Sequence, residues 1–179
     1  DAAALMRDLG FEKFDIAGHS MGGMVAIELA LRYPEMAKTI YLISTAPSLA
    51  GPFSMPASTM ELFERTEISP SLLTEVFNTI FGSKYKSRIS AQEFIDFRLG
   101  DKLAQPIDAY LKQLAACKSF DRISEIEKIR AQTVIVTGSA DRVIPSENSK
   151  WMHEKIENSR LIILEEIGHM VPLEAHEEL

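Results

Sequence analysis

The sequence predicts an α/β protein: part of a parallel sheet flanked by helices, with a helical cap inserted between two of its strands. Three observations carry this. Nearly continuous apolar runs that read as buried strands recur at "KFDIA" (13–17), "KTIYLIST" (38–45), "QTVIVTG" (132–138) and "RLIILE" (160–165). Helical patterns lie between successive runs, and strand, helix, strand repeated this way means a parallel sheet. The gap between the second and third runs, residues 46–130, contains helical patterns and no convincing strand. It is far too long for a connection inside a compact sheet.

Each element has its own signal. Leu5, Met6 and Leu9 sit at helical spacing, and Gly10 follows as a C-cap, so residues 1–10 read as the end of a helix. "KFDIA" is short and apolar enough for a buried strand. From Ser20 to Tyr33 the positions of Met21, Val25, Ile27, Leu29 and Ala30 are helical, and the pattern ends before Pro34. The insertion reads as "STMELFERT", "SPSLLTEVFNTIFG", "SAQEFIDFRLG", "PIDAYLKQLAACKSF" and "ISEIEKIR", all helical; "SPSLLTE" opens on a serine cap and "SAQE" is a capping-box pattern. A helix over 145–157 with Pro145 in its first turn separates the last two strands, and "VPLEAHEEL" reads as the first turns of another. The domain expectation is therefore a core of 1–45 and 131–179, with a cap or lid of 46–130.

Bulk properties exclude several function classes. The 179 residues are 46% hydrophobic and 25% charged, as in an ordinary globular domain with a sizeable core. A formal net charge of -7 and scattered Lys and Arg argue against a nucleic-acid surface. No window reaches the roughly 18–20 uninterrupted apolar residues of a membrane span, and the first residues lack the pattern of a signal peptide. Cys117 is the single cysteine, so no internal disulfide forms, which fits a reducing compartment such as the cytoplasm. The chain opens without Met inside one helical pattern and stops inside another, which leads us to expect a piece of a longer protein.

The residues with chemistry to offer lie where strands end. A serine hydroxyl is a poor nucleophile until a base takes its proton, and it must stand clear of its own backbone. In Gly18-His19-Ser20-Met21-Gly22, followed by Gly23, glycines remove side chains from a sharp strand-to-helix turn, so Ser20 can project from the sheet. The Met21 N–H then points from the helix N-terminus toward the place where an oxyanion would form. A Gly-rich turn with a serine N-cap is the competing reading, and a strand before with a helix after weighs against it. Asp141 follows the third strand by three residues and His169 the fourth by four, each in a loop with a glycine nearby. Alone, Asp141 would read as a cap for the helix near Pro145, and His169 as a structural histidine. Their joint arrangement with Ser20 at three strand ends points instead to one site.

The other candidates are weaker. His19 is adjacent to Ser20 and should point away from its hydroxyl, His153 falls within a helix on its wet face, and His176 lies beyond the last turn. No pair of cysteines and no His-x-x-x-His spacing supports a zinc site, so no metal and no other cofactor is expected. Cys117 reads as packing.

With these residues in hand, the sequence resembles the α/β-hydrolase-fold serine hydrolases. "GHSMGG", "GSADRVIP" and "GHMVPLE" are similar to that family's nucleophile, acid and histidine motifs, and Ser20, Asp141, His169 follow its chain order. The resemblance runs over residues 1–179 and is closest to the esterases, lactonases and carbon-carbon hydrolases that carry a helical cap after the sixth strand. It implies that His169 is the base, that Asp141 orients it, and that Ser20 rather than Asp at the elbow sets the chain apart from haloalkane dehalogenases and epoxide hydrolases. It also implies a second oxyanion donor from a loop after the family's third strand. That strand should precede residue 1, leaving "KFDIA" as an apolar edge strand that a missing segment, a second copy or a complementing chain would cover.

The function expected is a cofactor-independent serine hydrolase acting on a small or medium carboxylic ester, thioester or lactone through an acyl-enzyme on Ser20. A carbon-carbon bond hydrolase, an acyltransferase of the same fold, and a non-catalytic receptor or scaffold are the alternatives. Met55 and Met60 with Phe53, Phe63, Phe77, Phe81, Phe94, Phe97 and Phe120 suggest an acyl pocket under the cap, although core packing explains most of them equally well.

Overall fold

The computed structural model describes residues 1–178. Its frame is a four-stranded sheet in the order β1-β2-β3-β4. β1 (Phe14–His19) pairs with β2 (Ala37–Ile43), β2 with β3 (Gln132–Gly138), and β3 with β4 (Ser159–Leu164), each pair parallel. These are the four expected apolar runs, with ends displaced by at most two residues. β1 lies at one edge of the sheet.

Alternate side chains of a strand face opposite sides of a sheet, and the two sides here are covered unequally. On one side, Ile40 and Leu42 of β2 and Ile135 of β3 pack with Ala26 and Ile27 of α2 (Met21–Arg32) and with Met152 of α8 (Glu147–Lys155). Ile126 and Ile129, in and after a 3₁₀ turn at Ile123–Lys128, close the same cluster, so "ISEIEKIR" is helical but tighter than α. On the other side, Ile43 and Val136 meet Ile167, Val171 and Ala175 around α9 (Val171–Glu174). That cover is short. Tyr41 on the same side is 38% exposed and most of β4 is only half-buried, so the two-sided burial expected of every strand is reached mainly in β3.

Helix α1 (Ala2–Asp8) precedes β1. Between β2 and β3 the chain runs through α3 (Ala57–Glu64), α4 (Pro70–Ile80), α5 (Ser83–Lys86), α6 (Ala91–Gly100) and α7 (Ile107–Ser119). The serine caps form as expected: Ser69 Oγ accepts from Leu72 N–H, and Ser90 and Glu93 make the reciprocal capping box. α5 was not anticipated, since four residues carry no periodicity to read. Phe77 and Phe81 are buried with Ile80, Met24, Val143 and Ile144, tying these helices to α2 and to the loop after β3.

Candidate active site

Three strands of a parallel sheet deliver their following loops to one edge, and Ser20, Asp141 and His169 leave β1, β3 and β4 there. Ser20 is the hinge between β1 and α2, and it adopts φ 53°, ψ -119°, a region costly for any residue with a side chain. It is held there from both sides. Its N–H donates to Ile43 O at 2.9 Å, and its carbonyl accepts from Thr45 Oγ1 at 2.7 Å and from Gly23 N–H at 2.9 Å.

The glycines explain how so tight a turn is possible. A Cβ on Gly18 would stand 2.2 Å from the Gly22 carbonyl oxygen, and one on Gly23 would stand 2.5 Å from the Thr45 side chain. Both are closer than atoms can approach. Gly22 differs: a Cβ there meets nothing within 4 Å among the described residues. The turn therefore requires Gly18 and Gly23, while Gly22 is unconstrained by its neighbours here.

The side chains of the three residues meet in a line. Ser20 Oγ lies 3.0 Å from His169 Nε2, and His169 Nδ1 lies 2.9 Å from Asp141 Oδ2. A carboxylate oxygen only accepts, so Nδ1 carries the proton and Nε2 is free to accept from the serine hydroxyl. Asp141 fills both roles that the sequence left open. Oδ1 accepts from Val143 N–H at 2.8 Å and Ile144 N–H at 2.9 Å, capping the turn before α8, while Oδ2 serves the histidine. Being tied down by its own loop, this fully buried side chain holds the imidazole at a fixed angle. Met21 is the first residue of α2, so its N–H has no intrahelical acceptor and is available beside Ser20.

The peptide of His169 is pinned as firmly as its ring. Its N–H donates to Ile80 O at 2.8 Å, and its carbonyl accepts from His19 Nε2 at 2.8 Å. This is a role the sequence does not announce: it needs a contact 150 residues away in the chain. The two imidazole rings lie 5.0 Å apart. Burial first, and the neighbouring His169 second, hold the His19 pKa below its ordinary value, which keeps His19 neutral with its proton on Nε2. Glu174, unlike His19, is a residue that the sequence reading does not single out. It is buried against Gly82, Gly168 and Met170 N–H groups. The signal available was an acidic residue within an apolar stretch, "MVPLEA".

The remaining candidates fall elsewhere. His153 is exposed and pairs with Ser159 Oγ, and His176 is exposed. Among the described residues no cluster of three or more His, Cys, Asp or Glu has metal-binding geometry. Burial pushes the Cys117 thiol up, away from reactive thiolate chemistry. A groove of about 570 Å³ borders the site, lined by Met21, Met24, Val25, Cys117, Phe120 and Arg122 among others. Of the residues named above for the reaction, Met21 alone lies on its wall. No helix among the described residues is long and apolar enough to cross a membrane.

Comparison with known proteins gives a consistent result. A family model described as serine aminopeptidase, S33, matches residues 5–176. A poly(3-hydroxyalkanoate) depolymerase of Ectopseudomonas oleovorans is 28% identical over 174 residues, 94% of this chain and 58% of its own. A pimeloyl-(acyl-carrier protein) methyl ester esterase of Nitrosomonas europaea is 25% identical over 165 residues, 88% of this chain and 64% of its own. The solved structure of an esterase from Exiguobacterium antarcticum superposes with a TM-score of 0.83 at 25% identity, covering 99% of this chain and 68% of that one. The chain thus spans roughly three-fifths to two-thirds of the length of these relatives.

Proposed function

We propose an activity from one premise: the chain belongs to the serine aminopeptidase family that its residues 5–176 match, within the α/β-hydrolase fold. It is a serine hydrolase that cleaves a small or medium carboxylic ester, thioester or lactone through an acyl-enzyme on Ser20. The observation that carries this reading is the line of hydrogen bonds from Ser20 Oγ through His169 to Asp141, at 3.0 Å and 2.9 Å. The names of the two related esterases favour an ester over the amide that the family name describes.

The reaction follows from that line. His169 Nε2 takes the hydroxyl proton as Ser20 Oγ bonds to the acyl carbon, and the carbonyl electron pair moves onto oxygen. The Met21 N–H donates to that oxyanion from the start of α2, where the helix dipole also favours negative charge. Collapse breaks the bond to the leaving alcohol or thiol, which takes the proton from His169. Water then repeats the sequence, giving up its proton to His169, and the acid is released with Ser20 restored. Throughout, Asp141 keeps the imidazole in one tautomer and steadies its protonated form. Residues 46–130 serve as the cap over this edge, and their inner face sets acyl preference.

The test is turnover of p-nitrophenyl butyrate by the full natural chain and by Ser20→Ala. The variant should lose at least about a thousandfold in kcat while its Tm stays within about 2 °C of wild type. Equal turnover by the two proteins would remove Ser20 from the reaction.

A further inference from the structure

We propose that Glu174 is a positioning residue: its carboxylate clamps the end of α4 to the loop that carries His169, so that the helical stretch and the base are set as one piece. The inference rests on the reading of His169 as the base. Glu174 is 3% exposed, and no Lys or Arg among the described residues lies within ion-pair distance of it. Its partners are peptide groups from two segments, one 92 residues away in the chain and one just before it. Oε2 accepts from Gly82 N–H at 2.8 Å and from Gly168 N–H at 3.0 Å, and Oε1 accepts from Gly168 N–H at 3.1 Å and Met170 N–H at 3.2 Å. Gly82 follows the end of α4, while Gly168 and Met170 flank His169.

The backbones at this junction touch with no room for a side chain. A Cβ on Gly82 would stand 2.0 Å from Glu166 O, and one on Gly168 would stand 2.6 Å from Ile80 O. Met170 N–H has a second acceptor in Ile80 O at 3.4 Å, but the Gly82 and Gly168 N–H groups converge here away from any helix ladder or strand, and buried donors left unpaired are costly. A carboxylate answers this in a way its amide cannot, because both of its oxygens accept, whereas a glutamine amide would turn an N–H₂ toward one of the donors. The same junction delivers the Ile80 carbonyl to His169 N–H at 2.8 Å. Loss of the clamp therefore frees the histidine's peptide as well as the helix end.

The experiment compares wild type with Glu174→Gln in the full natural chain, at least about 15 °C below the Tm of both. The reaction depends on the placement of His169 Nε2, and small misplacements of a catalytic group cost up to about a hundredfold. The clamp predicts a fall of about tenfold to a hundredfold in kcat for p-nitrophenyl butyrate, with KM within about twofold, and a matching fall in the rate of fluorophosphonate labelling. A folded variant with kcat and labelling rate within about twofold of wild type overturns it. Wild-type protein that takes up no fluorophosphonate defeats the serine-hydrolase reading, a separate result, and leaves the clamp to be judged on the wild-type backbone by hydrogen exchange. The same measurement serves if Glu174→Gln does not fold. There the amides of Gly82, Gly168 and His169 should open together with one protection factor. A Gly82 amide exchanging about tenfold faster than the other two would overturn the clamp.

Discussion

A methyl group on Gly23 would stand 2.5 Å from Thr45, whose hydroxyl supports the carbonyl of Ser20. Gly23→Ala should therefore cost about 1–3 kcal/mol by overpacking and move the nucleophile with it. Gly22→Ala meets open space inside the first turn of α2 and should be neutral or stabilising by up to about 1 kcal/mol. Thermal unfolding of the two variants checks this, and Gly23→Ala melting as high as Gly22→Ala would contradict it. Both positions read alike in "GHSMGG", because a motif records a glycine and not the neighbour that demands it. His19 carries a further prediction at this scale. Its folded pKa lies below the ordinary 6.5, so the unfolded chain binds its proton first. The stability His19 contributes is complete above pH 6.5 and is lost as pH falls from there toward the depressed folded value. The Tm of wild type should accordingly drop more steeply between pH 6.5 and 5 than that of His19→Gln, and parallel curves would rule out this account of His19.

Among the elements, strands and the helices beside the sheet were legible because apolar runs and caps are local signals. β3 coincides with "QTVIVTG", and the Ser90–Glu93 box closes α6 as its spacing implied. The helices between β2 and β3 were legible as helices, but their four phenylalanines, Phe63, Phe77, Phe94 and Phe97, could not be sorted, since a helical spacing does not say which face has a partner. Phe77 is 3% exposed and packs against Phe81 and Phe94 with ring centroids 5.3 Å and 5.7 Å away, whereas Phe97 is 72% exposed. Phe77→Ala should cost about 3–5 kcal/mol in chemical denaturation, and Phe97→Ala should stay within about 0.5 kcal/mol. Similar losses from both would mean that Phe97 is covered. Core packing thus accounts for Phe77, Phe81 and Phe94, and the half-buried Met55 and Met60 pack against the same cluster.

At the scale of the molecule, the parallel direction of the strands could be anticipated, since each connection between apolar runs is helical. What could not be anticipated is how distant segments meet: His19 under the His169 carbonyl, Ile80 against its N–H, and Glu174 gathering three peptide donors. The contacts of His19 with His169, of Ile80 with His169 and of Glu174 with Gly82 each join a peptide group to a partner far away in the chain, and no local spacing encodes that meeting. They also bind the loops into one support around the nucleophile. The central claim is that this support makes Ser20 a nucleophile unlike the other serines of the chain. Fluorophosphonate treatment of the full natural chain, followed by tryptic peptide mass spectrometry, tests it most directly, because Phe14–Arg32 contains Ser20 as its only serine. The account predicts one adduct, on that peptide, lost in His169→Ala; an unmodified Phe14–Arg32 peptide, or an adduct that persists at the same rate without His169, would contradict it.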